Sequence, residues 1–140
     1  MNNDEIKSII DVVKSCDDLQ LCTNRMDGCP ETRHVMNAMN KDITTLDLRF
    51  LTGRDTPKFK QLQKNPKCCL YYFNSGTRYS VRLFGDMVVI EDMGEKKKYW
   101  RDDYKQFGYT GADDPELALL QFKPHSYKFY VGNEMKTGLI

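Results

Sequence analysis

The chain has 140 residues, of which 29% are charged and 40% hydrophobic, and its formal net charge is +1. That length suits a single domain, residues 1–140, with a core large enough to need no metal or disulfide staple. The near-neutral charge excludes attraction of the whole molecule to nucleic acid or membrane. With no bilayer-length apolar run and no signal-peptide core in MNNDEIKS, the cytoplasm is the expected compartment.

The first segment, DEIKSIIDVVKSC, places Ile6, Ile9, Ile10 and Val13 on one helical face. It predicts an amphipathic helix over about 4–16 with Asn3 or Asp4 as N-cap. LQLCTN and TRHVMN read as strands flanking a turn in MDGCPE, marked by Asp27-Gly28 and Pro30. TTLDLRFLT alternates, with Leu46, Leu48 and Phe50 facing one way and Asp47 and Arg49 the other. A short helix is predicted from Pro57 to about Lys64, stopped by Asn65-Pro66. CCLYYF is apolar on both faces and reads as a central strand. Asn74-Ser75-Gly76-Thr77 then makes a hairpin into RYSVRLFGDMVVIED, which Gly85 interrupts with a bulge or bend. GEKKKYWRDDYKQF reads as one polar helix carrying Tyr99, Trp100 and Tyr104. LALLQFK and SYKFYVG read as two strands joined at Pro124.

This order predicts a mainly β (α+β) fold, an antiparallel barrel with peripheral helices rather than a doubly wound sheet. Gly-x-Gly-x-x-Gly is absent, so a Rossmann dinucleotide site is not supported. The five cysteines, Cys16, Cys22, Cys29, Cys68 and Cys69, form no Cys-x-x-Cys pair and read as buried small apolar residues in a reducing compartment. With only His34 and His125, there is little material for a metal site or a hydrolytic triad, and no metal is expected. Asp113-Asp114-Pro115 reads as a cap and turn ahead of a carboxylate pair for acid–base work.

One local feature points to chemistry. Thr56 is a preferred N-cap residue and Pro57 a preferred first helical residue. Yet Arg54, Lys58 and Lys60 crowd the positive end of the helix, where each cation costs a few tenths of a kcal/mol, roughly, and Asp55 offsets only part of this. A phosphate accepting backbone N–H groups, the Thr56 hydroxyl and the Lys58 ammonium together would resolve the conflict. The plainer reading is that these lysines snorkel into water from an amphipathic helix.

The block from Leu46 to Gly85 resembles the FMN-binding split-barrel family of pyridoxamine-phosphate oxidases and general stress proteins. The resemblance rests on Phe50-Leu51-Thr52, Thr56-Pro57-Lys58, Asn65-Pro66, CCLYYF and SVRLFG in that order. TRHVM upstream is similar to the family's Arg-containing strand. YWRDDYKQFGYTGADDPELALLQF is similar to the general-stress branch, with its Trp-bearing helix and Asp-Pro turn. The resemblance implies a six-stranded antiparallel split β-barrel of the FMN-binding type with peripheral helices. It also implies FMN as cofactor and a homodimer with the flavin at the interface.

By that resemblance Thr56, Pro57 and Lys58 would form the phosphate site, with Arg33 as a further candidate. The Leu51 and Thr52 backbone would follow the isoalloxazine edge, and Val35 and Met36 would pack nearby; for these two and Phe50 the plainer reading is strand core. Ser80 stands where the oxidases carry a flavin-reaching Gln, and Pro57 where they often carry Arg. Trp100 would line the flavin pocket, or else pack its helix onto the barrel. The oxidases' pyridoxal-binding C-terminal segment is not recognisable in SYKFYVGNEMKTGLI. The implied function is an FMN-dependent oxidoreductase using a small-molecule electron donor or acceptor, with no catalytic acid or base identified. The alternatives are a non-catalytic flavin carrier or stress sensor, and the same barrel holding a deazaflavin or haem.

Overall fold

A computed structural model describes residues 3–140. The amphipathic N-terminal segment forms helix α1, Asn3–Ser15, which buries Ile9, Val12 and Val13 in the core. Asn3 and Asp4 stand in its first turn rather than at the cap, and Asp4 and Glu5 there complement the positive helix end. Seven strands follow: β1 (Asp18–Asn24), β2 (Pro30–Met36), β3 (Leu48–Gly53), β4 (Lys67–Phe73), β5 (Ser80–Ile90), β6 (Leu117–Val131) and β7 (Glu134–Leu139). Helix α2 (Pro57–Lys64) lies between β3 and β4, and α3 (Met93–Tyr99) follows β5.

All pairings are antiparallel, in the order β2-β1-β4-β5-β6-β3, with β7 added to β6. The expected six strands are therefore joined by a seventh, and the sheet does not close, because β2 and β3 are its two end strands. The β4 segment is central, as its two apolar faces require, and it buries Cys68, Leu70 and Tyr72 inward. Leu46, Leu48 and Phe50 enter the core as their alternation predicts.

Two boundaries differ from the sequence reading. LALLQFK and SYKFYVG are one strand, β6, which runs through Pro124. Pro124 lies opposite Gly85 at the register shift between Phe84 and Gly85, where His125 is the extra residue; a proline without N–H is tolerated at such a bulge. GEKKKYWRDDYKQF is split. Helix α3, capped by the Asp92 carboxylate on the Glu95 amide, ends at Trp100, and Asp102–Phe107 restarts as a 3-10 turn closed by left-handed Gly108. Asp102 and Asp103 suit the start of a new turn better than a helix interior. The cysteines also divide: Cys16 and Cys68 are buried, Cys22 and Cys69 half-buried, and Cys29 exposed on the β1–β2 turn.

Gly85 is required by packing. A Cβ there would lie 2.2 Å from the Lys123 carbonyl oxygen, a backbone atom that cannot step aside. Gly85→Ala is expected to cost about 2–3 kcal/mol, read as a lowered thermal midpoint in circular dichroism.

Candidate functional site

A cavity of about 280 Å³ lies between the unpaired end strands of the sheet. Its floor is the core-facing side of the sheet, with Leu21, Leu70, Met87 and Leu120. One wall comes from β2 with Val35 and Met36, and the facing wall from β3 with Phe50, Leu51, Thr52 and Gly53. The lining is mainly apolar, and the volume approaches the range of about 300–1,000 Å³ usual for small-molecule sites.

The start of α2 forms the polar end. Thr56 caps the helix, accepting from the Phe59 amide at 3.4 Å while its own hydroxyl donates to the Gly53 carbonyl at 2.7 Å. The Lys60 amide bonds the Thr56 carbonyl and Pro57 has no N–H. Among the described residues the Lys58 amide is thus the first-turn donor without an intrachain partner. The cations sort themselves. Arg54 pairs with Glu91 at 3.1 Å and covers the Phe59 ring, and Lys60 is exposed. Lys58 lines the cavity, is half-buried, and has no carboxylate partner among the described residues. Burial first, and the Arg33 charge second, hold its ammonium below the usual lysine range.

The remaining expected site residues fall into two groups. Val35, Met36, Leu51, Thr52, Thr56 and Lys58 line one cavity, and Pro57 opens the helix beside it. Arg33, Trp100 and Ser80 do not line it. The Arg33 guanidinium donates to the Leu21 carbonyl, Thr23 Oγ1, Glu31 and Gln61. Gln61 in turn donates to Glu31 at 2.9 Å, which with the Arg33 charge lowers the Glu31 pKa. Trp100 donates to Asp102 and meets Tyr104 edge-on at 5.7 Å, so it stands one ring behind the cavity wall. Ser80 pairs with Phe73 and Tyr130 at the start of β5, three residues from Leu83, which is paired with the cavity residue Leu70.

Sequence reasoning missed a third wall, made by Tyr104, Phe107 and Tyr109. Tyr109 packs its hydroxyl over Gly53, where a Cβ would come within 2.8 Å of it. Burial, then Asp55, Asp114 and Glu116, raise the Tyr109 phenol pKa. Asp114 accepts from the Thr110 and Glu116 amides, which hold its carboxyl below the usual range and make it the turn residue expected. His34 and Met39 also line the cavity. Among the described residues no cluster of three or more metal-ligating side chains occurs, and no helix is long and apolar enough to cross a membrane.

This arrangement has close parallels in known folds. The sequence pattern described as "Pyridoxamine 5'-phosphate oxidase like" matches residues 4–139. Among solved structures, one from Clostridium acetobutylicum is described as related to general stress protein 26 of Bacillus subtilis, in the pyridoxinephosphate oxidase family. It superposes with a TM-score of 0.84 at 23% identity, over 100% of this chain and 97% of that one. A pyridoxamine 5'-phosphate oxidase-related, FMN-binding protein from Nostoc punctiforme gives 0.71 at 20% identity, over 99% of this chain and 96% of that one. A haem-binding protein from Mycobacterium smegmatis gives 0.76 at 10% identity, over 99% of this chain and 59% of that one. At these identities the likenesses establish the fold. No curated protein matches the sequence.

Proposed function

The chain belongs to the pyridoxamine 5'-phosphate oxidase-like family, and from that premise we propose that it is an FMN-binding flavoprotein, an FMN-dependent oxidoreductase of the general-stress type. The observation that carries the reading is Lys58. A half-buried ammonium with no carboxylate partner among the described residues, beside an amide with no intrachain partner among them, at a helix start and at the polar end of an apolar slot, fits a phosphate tethered to a flat apolar ring.

In this reading the Lys58 ammonium and amide hold the phosphate. Thr56 and Pro57 fix the helix start that presents them, and Arg33 reinforces the positive potential from behind α2. β3 is an end strand, so Leu51 and Thr52 have an open edge to offer the ring's polar rim, while Val35 and Met36 shield its face. When bound, FMN supplies a reversible hydride acceptor; the residues of the chain bind, orient and keep water from it. Ser80 and Trp100 stand outside the cavity lining, and Trp100 acts by bracing Tyr104. Met36 and Phe107 line the cavity yet are 51% and 54% exposed, which supports a second copy covering them in a homodimer.

A second reading, the same barrel holding haem, draws on His34 at the cavity, an imidazole able to ligate iron. The visible spectrum of the purified protein separates the two. Bands near about 370 and 450 nm are expected for bound oxidised flavin, whereas an intense band near about 400 nm would favour haem. A colourless protein that takes up neither added cofactor would overturn both. Bleaching of bound flavin by NADH or NADPH would mark an enzyme, and its absence with every physiological donor a carrier.

A further inference from the structure

On the face of the sheet opposite the cavity, Cys22 of β1 lies directly across from Cys69 of β4. Directly opposed residues of an antiparallel pair share a face, with Cβ atoms about 4.5–5.5 Å apart, close to the roughly 3.5–4.5 Å that a disulfide spans. The register alone therefore brings two thiols almost to bonding geometry. Their neighbours Leu21 and Leu70, themselves paired, point the other way and line the cavity floor.

The remaining cysteines differ in kind. Cys16 is buried and donates to the Val12 and Phe73 carbonyls. Cys68 is buried, and its thiol is pushed up to about 12 by burial first, then by Cys69, Asp86 and Cys22. Cys29 is exposed but alone on its turn. Cys22 and Cys69 are half-buried, so small oxidants reach them; burial first, and Cys22 second, raise the Cys69 thiol above its ordinary range, and the nearby Arg82 and Lys128 charges offset part of that rise. Outward-facing positions of a solvated sheet more often carry polar or β-branched residues, and two small thiols placed opposite each other there serve no core.

We propose that Cys22 and Cys69 are a redox-active dithiol that closes to a cross-strand disulfide under hydroperoxide. The Cys22 thiolate attacks one oxygen of hydrogen peroxide; the O–O bond breaks, the departing hydroxide takes up the proton the thiol gave up and leaves as water, and Cys22 becomes a sulfenic acid. The Cys69 sulfur then attacks the Cys22 sulfur; the S–S bond forms, the S–O bond breaks, and a second water leaves. Two thiols lose two electrons and one peroxide becomes two waters. The bridge ties β1 to β4 immediately behind Leu21 and Leu70, so it reports redox state to the cavity floor.

The test is hydrogen peroxide treatment of the intact protein, with exposed Cys29 as the internal reference thiol. The expected product is two hydrogen masses lighter, is restored by dithiothreitol, and yields a peptide pair whose fragmentation joins Cys22 to Cys69. It forms before Cys29 is oxidised, and Cys22→Ser and Cys69→Ser each abolish it. Oxidation of Cys29 with Cys22 and Cys69 still reduced in the folded wild-type protein would overturn the proposal. So would a bridge that persists in Cys22→Ser or maps to Cys16 or Cys68.

Discussion

Lys58→Ala weakens FMN binding about 10- to 100-fold and leaves riboflavin nearly unchanged, as expected if about 1.5–3 kcal/mol is lost from a hydrogen bond to a charged phosphate that only FMN carries. Fluorescence titration of the two ligands into the apoprotein measures both constants. Equal losses would show that Lys58 supports the cavity as a whole, and no loss for either would remove the helix start from the site. The contrast is informative because Lys58 is the one cation at this helix start that is both withdrawn from water and without a carboxylate; Arg54 already has Glu91.

The same lysine gives the binding a pH dependence of defined sign. Burial and Arg33 lower its folded pKa beneath the ordinary value of 10.5. Phosphate binding needs the protonated form, so FMN affinity falls as pH rises through that lowered pKa. Stability of the ligand-free protein runs the other way. Between the lowered folded pKa and the unfolded one, the unfolded chain holds a proton that the folded chain does not, so stability rises with pH across that window. Below that window the ammonium, half-buried and without a carboxylate partner among the described residues, weighs against the fold. Lys58→Met therefore raises the thermal midpoint of the apoprotein while impairing FMN binding, opposite signs that a merely structural lysine would not give.

Local signals carried much of this site. Thr56-Pro57 announces a helix start by cap chemistry and fixed φ, and Asn65-Pro66 its end, because both act within one turn of chain; the helix runs Pro57–Lys64 as expected. The alternation of Leu46, Leu48 and Phe50 placed β3 with its apolar face inward. Partners distant in sequence were not legible. Arg33 is a phosphate candidate in sequence, and only the fold shows its guanidinium donating to Thr23, Glu31 and Gln61. Tyr109 carries no periodic pattern and gains its place only from the close approach to Gly53. β7, EMKTGL, lacks the composition of a strand; it forms because the second half of β6 offers an open edge, and because Gly138 leaves room for the Tyr127 ring. Such tertiary dependence overrides β-propensity.

Asn37 is the sharpest case of a residue whose importance sequence conceals, and the second large effect expected here. In sequence it is the end of TRHVMN. In the fold it is fully buried, and its Nδ2 donates to the Val13 carbonyl at 2.7 Å and the Cys16 carbonyl at 2.8 Å. Its Oδ1 accepts from Tyr72 Oη at 3.1 Å and Asn40 Nδ2 at 3.2 Å. One amide therefore satisfies carbonyls at the C-terminal end of α1, a phenol buried in the core, and the 3-10 turn Ala38–Asn40 that carries cavity residues Ala38 and Met39. Asn37→Ala removes these partners at once and strands a tyrosine hydroxyl that burial has already pushed well above its ordinary pKa. The expected cost is about 3–5 kcal/mol, because each orphaned buried polar group forfeits about 1–3 kcal/mol and water reaches only some of them. In a chain of this size that lowers the thermal midpoint by about 10–20 °C. Tyr72→Phe is the control, since it removes a single donor and leaves Oδ1 bonded to Asn40; its cost should stay near about 1 kcal/mol. A drop for Asn37→Ala no larger than for Tyr72→Phe would mean that the helix end and the turn are held by packing alone. The larger drop would place the anchor of the cavity wall in a single buried amide.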